Sequence, residues 1–337
     1  MPCNAAPIPA GAGSPPVIAM KARVQFTVEE NYRGWRLDRY LQEKIPRLSR
    51  AQVKHLIGER LEVRDSPGKG RLKPSTRVVP GLRFALLREC EPEPEAPLEF
   101  GVIYHDGALL AIDKPAGLPV HPTARYSDHT FTTLARARFP DLKVDPAHRI
   151  DRETSGLLAC GAAPEHTSAL KCAFAGGEVK KTYLALVEGW PPVDAFSVDA
   201  PLALTLTSIV RVRMHVHASG LVARTRFQVV ERRHTRGGAP IALVACYPET
   251  GRQHQIRAHL GHVGLPVVGD KIYGPDESIF DRFTRHAMTD DDRLRLLLPR
   301  HALHAFRLEI PHPITRERVL LEAPLPFDLA DFWKGCS

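Results

Sequence analysis

Between residues 89 and 97 the chain reads Glu89-Cys90-Glu91-Pro92-Glu93-Pro94-Glu95-Ala96-Pro97, and this run limits what the chain can fold into more than any other. Each proline fixes its own φ, lacks an N–H and biases its predecessor toward extended backbone. A regular helix or central strand cannot pass through it, so 89–97 is expected to be an extended, semi-rigid linker between two folded parts. Length agrees, because 337 residues correspond to about two domains at roughly 150 residues each. The part after the linker is long enough to bury a substantial core.

Charge is divided along the same line. The formal net charge is +8, yet residues 32–88 contain fifteen Lys or Arg and five Asp or Glu, a balance of +10, so the remainder sums to −2. An excess confined to one small segment fits a module that contacts phosphates, joined to a larger module with another task; the alternative is a solvated basic face. Hydrophobic residues make up 43% and no apolar run reaches the ~18 to 20 residues of a membrane span, so no membrane partner is expected. The cysteines at 3, 90, 160, 172, 246 and 336 contain no C-x-x-C pair, which argues against a disulfide framework or thiolate zinc site and for a reducing compartment, the cytoplasm. Five prolines before Met20 and no basic or continuous apolar region make 1–22 a disordered tail rather than a signal peptide.

In the basic segment, Leu37, Tyr40, Leu41 and Ile45 recur at helical spacing and Pro46 stops that helix. Ser49 with Gln52 forms a capping box for a second helix, whose buried stripe is Val53, Leu56 and Ile57 and which Gly58 should end. Arg47, Arg50 and Lys54 share another face, a row of cations that could follow a phosphate backbone. Leu61–Val63 and Arg77–Leu87 read as strands around the turn-rich Ser66-Pro67-Gly68-Lys69-Gly70. With Arg36-Leu37-Asp38, Ser49-Arg50-Ala51 and Pro80-Gly81, residues 32–88 resemble the small RNA-binding domain named after ribosomal protein S-four. Its asparagine-glycine turn is replaced here by Asp65 to Gly70.

Beyond the linker, Val102–Ile112 reads as strand, turn and strand, and Trp190–Arg226 as antiparallel strands. Gly11-Ala12-Gly13 is neither a Walker loop nor a dinucleotide fingerprint, and no G-x-S-x-G elbow is present. The pairs His215/His217, His259/His262 and His301/His304 lack the H-E-x-x-H pattern or thiolates, so neither cofactor nor metal is expected.

Two segments carry more polar groups than packing requires. His148-Arg149-Ile150-Asp151-Arg152-Glu153-Thr154-Ser155-Gly156 crowds carboxylates among guanidinium groups before the apolar run Leu157–Cys160. A carboxylate so flanked stays ionised and can act as nucleophile or base; it can equally be a structural ion pair in a turn. Thr250 to Leu260 follows a buried strand, Ile241–Tyr247, and places Ile256, Leu260 and Val263 at helical spacing, with Gln253 and Arg257 on a polar face.

Taken together, these residues resemble the RluA-type pseudouridine synthase family. The H-R-[LI]-D-x-x-T-S-G signature is met by His148 to Gly156, G-R-x-H-Q-[IL]-R-x-H by Gly251 to His259, and G-x-P-x-x-G-D-x-x-Y-G by Gly264 to Gly274. Lys114-Pro115-Ala116-Gly117 and Lys181-Thr182-Tyr183 match two shorter motifs, and the likeness runs over residues 98–327. The resemblance implies an α+β catalytic domain with a mixed, largely antiparallel sheet behind a small N-terminal α/β RNA-binding domain. It implies an isomerase that turns uracil over on its ribose without redox change or cofactor. Asp151 would be the catalytic carboxylate, as nucleophile or base, Arg257 its partner, and Tyr183 a stacking face and proton-transfer hydroxyl. His148 and Arg149 would fill the gap left by the extracted base, although Arg149 could instead brace the loop; Arg252, His254 and Gln255 complete the expected substrate-binding set.

The appended S-four-like module favours large-subunit ribosomal RNA over tRNA, and a monomer is expected. Two rivals remain at this point: a non-catalytic RNA-binding ribosome-assembly protein that keeps the fold, and a carboxylate-based glycosidic-bond hydrolase, which would release free base.

Overall fold

The computed structural model describes residues 20–46, 48–65, 72–90, 93–123, 125–205 and 208–337. Arg47, the turn 66–70, most of the expected tail and Glu91-Pro92 of the expected linker lie outside the described residues. The chain forms two compact units, Met1–Pro94 and Glu95–Ser337.

The smaller unit contains strand β1 (Met20–Thr27), helices α1 (Leu37–Lys44) and α2 (Arg50–Glu59), and strands β2 (Leu61–Asp65) and β3 (Arg83–Cys90). Its antiparallel sheet has the order β1-β3-β2. Leu37, Tyr40 and Leu41 of α1 and Val53 and Ile57 of α2 enter one core with Val78, Leu82 and Phe84, as their spacing requires. Ser49 caps α2 through the Gln52 N–H while the Gln52 side chain returns to the Ser49 N–H, the expected reciprocal box. In Arg36-Leu37-Asp38, Asp38 is 2% exposed and accepts a two-point guanidinium bond from Arg36 at 3.0 and 2.9 Å, which fixes the entry to α1.

Four boundaries differ from expectation. Gly58 lies inside α2, whose C-cap is Arg60. Arg77 only bridges to Arg36, and the turn at Pro80-Gly81 delays β3 to Arg83. Strand β1 takes in Met20–Ala22 of the expected tail, and β3 takes in Glu89 and Cys90 of the expected linker, because pairing between these two strands supplies hydrogen bonds that local composition does not reveal.

The larger unit is built on a sheet of ten strands. In chain order its elements are β4 (Gly101–His105), β5 (Leu109–Lys114), α3 (Phe131–Arg138), β6 (Asp145–Pro146), β7 (Ser155–Gly161), α4 (Pro164–Ala175), β8 (Lys180–Glu188) and β9 (Ala195–Asp199). The hairpin β10 (Leu202–Leu204) and β11 (Met214–Val216) follows, then β12 (Arg224–His234), β13 (Pro240–Pro248), α5 (Gln255–His262), α6 (Ser278–Thr284), α7 (Asp290–Leu296), β14 (Leu303–Pro311), β15 (Arg318–Glu322) and α8 (Phe327–Lys334). The sheet order is β4-β5-β7-β14-β8-β13-β12-β9, with β15 on β14 and β6 on β7. Among the described residues only β7 and β14 pair in parallel, so the sheet is mixed and largely antiparallel, as the resemblance implies.

Where β7 meets β14, Gly156 has φ +104° and a Cβ there would meet the Ala305 carbonyl oxygen at 2.3 Å, so only glycine lets the strand start beside β14. One core joins β5 and β7 to α3 and α4; another joins β8 and β13 to α5 and α8. Tyr183 of β8 packs against both. Helix α5 begins at Gln255, so Gln253 precedes it and does not share a helical face with Arg257; Val263, its C-cap, is 41% exposed rather than part of the buried stripe.

Candidate active site

A cleft of about 590 Å³ opens along the line between the two cores. Its lining includes His148, Arg149 and Asp151 from the loop before β7, Tyr183 from β8, and Arg252, His254, Gln255 and Arg257 from the turn after β13 and helix α5. Every site residue that the sequence places in the larger unit therefore reaches one depression, from three segments spread over about a hundred residues; Arg50 and Lys54 lie in the smaller unit.

The loop carrying Asp151 is held from below. The Lys114 ammonium is fully buried and donates to the carbonyls of Pro115, Leu118 and Arg152 at 2.8, 2.9 and 3.0 Å, using all three of its hydrogens. Burial lowers its pKa to about 7. Thr154 bonds to His301 Nε2 at 2.8 Å. His304 Nε2 donates to the Ala323 carbonyl, so its Nδ1 accepts from the Ser155 hydroxyl at 3.0 Å. Burial keeps His304 neutral, with its pKa near 4. Lys271, itself buried, donates to both Glu153 oxygens at 3.0 and 3.2 Å.

At the floor, Arg257 Nη1 donates to Asp151 Oδ2 at 2.8 Å. The other edge of the same guanidinium grips Asp270: Nε to Oδ2 at 2.6 Å and Nη2 to Oδ1 at 2.8 Å. Asp270 also accepts the backbone N–H groups of Ile272 and Tyr273, which satisfies a carboxylate that is 1% exposed. Asp270 was legible only as part of a motif; thirteen residues from Arg257 and in a loop, it offers no periodic signal of its role.

Burial opposes ionisation of Asp151, but the groups facing it, His254 where it is protonated and Arg257 at every pH, outweigh burial and hold the carboxyl below its ordinary value. His254 Nε2 is 3.9 Å from Asp151 Oδ1. Burial takes the His254 pKa to about 4, so near neutrality the imidazole is uncharged and the lasting countercharge is Arg257. The His254 backbone is left-handed, with φ 53°, and its Nδ1 meets the Tyr273 hydroxyl at 3.1 Å. Burial, reinforced by the Asp151 charge, pushes the Tyr183 phenol well up, so it is a neutral hydroxyl.

Two expected substrate contacts turn out to be braces. The His148 ring stacks on Phe174 with centroids 4.4 Å apart, and its Nε2 accepts the Ala159 N–H, so it cannot swing out to replace a base without losing both. The Gln255 amide donates to the Arg224 carbonyl and the Thr225 hydroxyl and accepts from the Thr250 hydroxyl and the Arg252 N–H, which uses its full capacity. Arg149 contrasts with them: exposed on the cleft wall, its side chain has no hydrogen-bond or ion-pair partner among the described residues. Arg252, also exposed, is tethered by Nε to the Val222 carbonyl.

The RNA pseudouridylate synthase family profile matches residues 108–262, the span that contributes Asp151, Tyr183 and Arg257. Ribosomal large subunit pseudouridine synthase D of Nitrosomonas europaea is 35% identical over 91% of this chain and 86% of its own length. The chain belongs to the RNA pseudouridylate synthase family. Pseudouridine synthase D of Pseudomonas aeruginosa is 33% identical to this synthase, covering 88% of the chain and 90% of that protein. Among solved structures, human RNA pseudouridylate synthase domain containing 1 superposes with a TM-score of 0.58 at 27% identity, over 73% of this synthase and 91% of that chain. The synthase is thus an isomerase, and the readings as a non-catalytic assembly protein or a base-releasing hydrolase are not favoured.

Proposed function

We propose that this synthase converts uridines of large-subunit ribosomal RNA to pseudouridine, with Asp151 as the reacting carboxylate. The observation that carries the reading is the linked set Asp270, Arg257 and Asp151, which keeps one partly exposed carboxylate ionised and aimed into a cleft large enough for a nucleotide. The N1–C1′ bond of the uridine breaks, the base turns over, and C5–C1′ forms; C5 gives up a proton and N1 gains one, so nothing is oxidised. Asp151 opens the sequence either by attacking covalently or by removing a sugar proton. Tyr183, a neutral phenol beside the carboxylate, stacks against the base and relays a proton in concert with Asp151.

Removing a base from its stack costs a few kcal/mol, and the Arg149 guanidinium, without a partner among the described residues, is a group able to occupy the gap. Ribosomal RNA as substrate is supported by the names of the relatives aligned over most of the chain. Within the smaller unit, residues 32–88, extended by β1 and by the end of β3, act as an S-four-like RNA-binding domain, the rest of 89–97 as the linker and 98–327 as the catalytic domain. Support for the first comes from Arg50 and Lys54, both exposed on α2. The enzyme works as a monomer in the cytoplasm, and the free thiols Cys160, Cys172, Cys246 and Cys336 among the described residues support the second part of that reading. No helix among the described residues is long and apolar enough to cross a membrane.

Incubating the purified enzyme with unmodified ribosomal RNA and with tRNA, then mapping carbodiimide adducts by reverse-transcription stops, tests this. New stops in the ribosomal RNA with wild type but not with Asp151→Asn are expected. Stops in tRNA alone would redirect the substrate, and no stops in either would overturn the reading.

A further inference from the structure

Beside the cleft lies a groove of about 950 Å³ to which the reaction assigns no role. Its walls are the last turn of α3 with Arg136, the segment around Lys143 and Asp145, and the face of α4 that carries Ser168, Lys171 and Cys172. Lys171 and Ala175 line both depressions, so groove and cleft adjoin at the C-terminal half of α4.

Charge separates this groove from ordinary surface. Many arginines of the larger unit, including Arg213, Arg224, Arg232 and Arg282, are tied to carboxylates. Arg136 and Lys143 are exposed, and among the described residues neither side chain has a hydrogen-bond or ion-pair partner. Lys171 is bonded to Asp145 at 2.8 Å, and Asp145 is the one carboxylate in the lining. Three cations against one anion, in a groove that borders a cleft that must hold a nucleotide, match a polyanionic strand. Extraction of one base also requires the neighbouring backbone to be gripped, because phosphate contacts are what can supply the cost of unstacking.

We propose that this groove carries the phosphate backbone of the RNA strand flanking the target uridine, with Arg136 and Lys143 as phosphate contacts and Lys171 where the strand crosses from groove to cleft. The proposal rests on RNA as the substrate of the cleft and gives that strand its path.

The test compares wild type with Arg136→Gln/Lys143→Gln in the full chain, on a long RNA substrate and on an oligonucleotide that stops just beyond the target uridine on both sides. On the long RNA the slope of log affinity against log salt should flatten by about 1.4, from two contacts at roughly 0.7 each, and KM should rise several-fold while kcat holds. On the short oligonucleotide both parameters should match wild type. Unchanged slope and KM on the long RNA would overturn the proposal. A second readout uses Cys172, exposed in the groove, whereas Cys160, Cys246 and Cys336 are buried. With Cys3 and Cys90 replaced by serine, a photo-crosslinker on Cys172 should mark nucleotides a few positions from the modified uridine on one side. Scattered crosslinks, or none, would overturn it. A wild type that makes no pseudouridine in any RNA would instead remove the reading beneath it.

Discussion

Asp270 holds Arg257 by two parallel bonds, at 2.6 and 2.8 Å, and so leaves one guanidinium nitrogen free to point at Asp151. A point charge cannot reproduce this, because a lysine ammonium has no planar fork to be gripped on one edge and aimed from another. Arg257→Lys should lower kcat about a hundredfold with little change in RNA affinity, and Asp270→Asn should lower it about ten- to a hundredfold, since misaiming by about 1 Å is enough. Single-turnover rates beside filter-binding constants check this; a loss confined to affinity would contradict it.

The same pair sets the acid side of activity. With Asp151 held below its ordinary value, kcat should not fall on its account between pH 7 and about 5. The stability contributed by the pair is full above the unfolded carboxyl value, about 3.9, and disappears as pH falls through the lower folded value. In Arg257→Met no lasting positive charge offsets burial, so the acid limb of kcat should move upward; a pH–rate profile identical to wild type would show that Arg257 does not govern the carboxylate.

Acid should nevertheless weaken the fold before Asp151 titrates. His304 is fully buried and neutral, with a pKa near 4, while an unfolded histidine titrates near 6.5. Between those values the unfolded chain binds the extra proton, so stability falls as pH falls. In His304→Gln the dependence of unfolding free energy on pH over that window should be shallower by about one proton, roughly 1.4 kcal/mol per pH unit. Urea unfolding at several pH values would show it, and parallel curves would refute it.

Arg149 and His148 are neighbours with opposite duties. Arg149→Ala should reduce kcat/KM by about tenfold or more while the thermal midpoint stays within the change expected from about 0.5 kcal/mol. His148→Ala should destabilise by about 2 kcal/mol or more, through loss of the Phe174 stack and the unpaired Ala159 N–H. Equal thermal loss in both would mean that Arg149 also braces the loop.

In the smaller unit, Arg50→Gln with Lys54→Gln should flatten the salt dependence of RNA binding by about 1.4 to 1.8 on a log–log scale. Arg50 also lies 3.8 Å from Asp38, so its share should be the smaller one in the single variants. An unchanged slope would mean that this face of α2 meets solvent alone.

Features decided within a few residues were readable in the sequence. The Ser49–Gln52 box, the stripes of α1 and α2 and the hairpin of β4 and β5 follow from local spacing, and the structure contains them. The meeting of Asp151, Tyr183 and Arg257 was readable only through resemblance, because their separation in sequence carries no periodicity. What escaped reading depends on partners far along the chain. Phe174 makes His148 a brace, Arg224 and Thr225 saturate Gln255, and the pairing of β1 with β3 claims residues whose composition reads as tail and linker. An unpaired side chain such as Arg149 and a saturated one such as Gln255 look alike in sequence; only the count of hydrogen-bond partners separates them.

Asp270 and Lys271, adjacent in sequence, fasten alternate positions of the reactive loop: the first reaches Asp151 through Arg257, the second grips Glu153 directly. Such a loop resembles a workpiece clamped at two points. The carboxylate keeps its place, and the nucleotide has to travel to it. Turnover on different RNAs should then vary with how readily each uridine leaves its own stack, and a site in a loose loop should react faster than the same uridine in a stable helix.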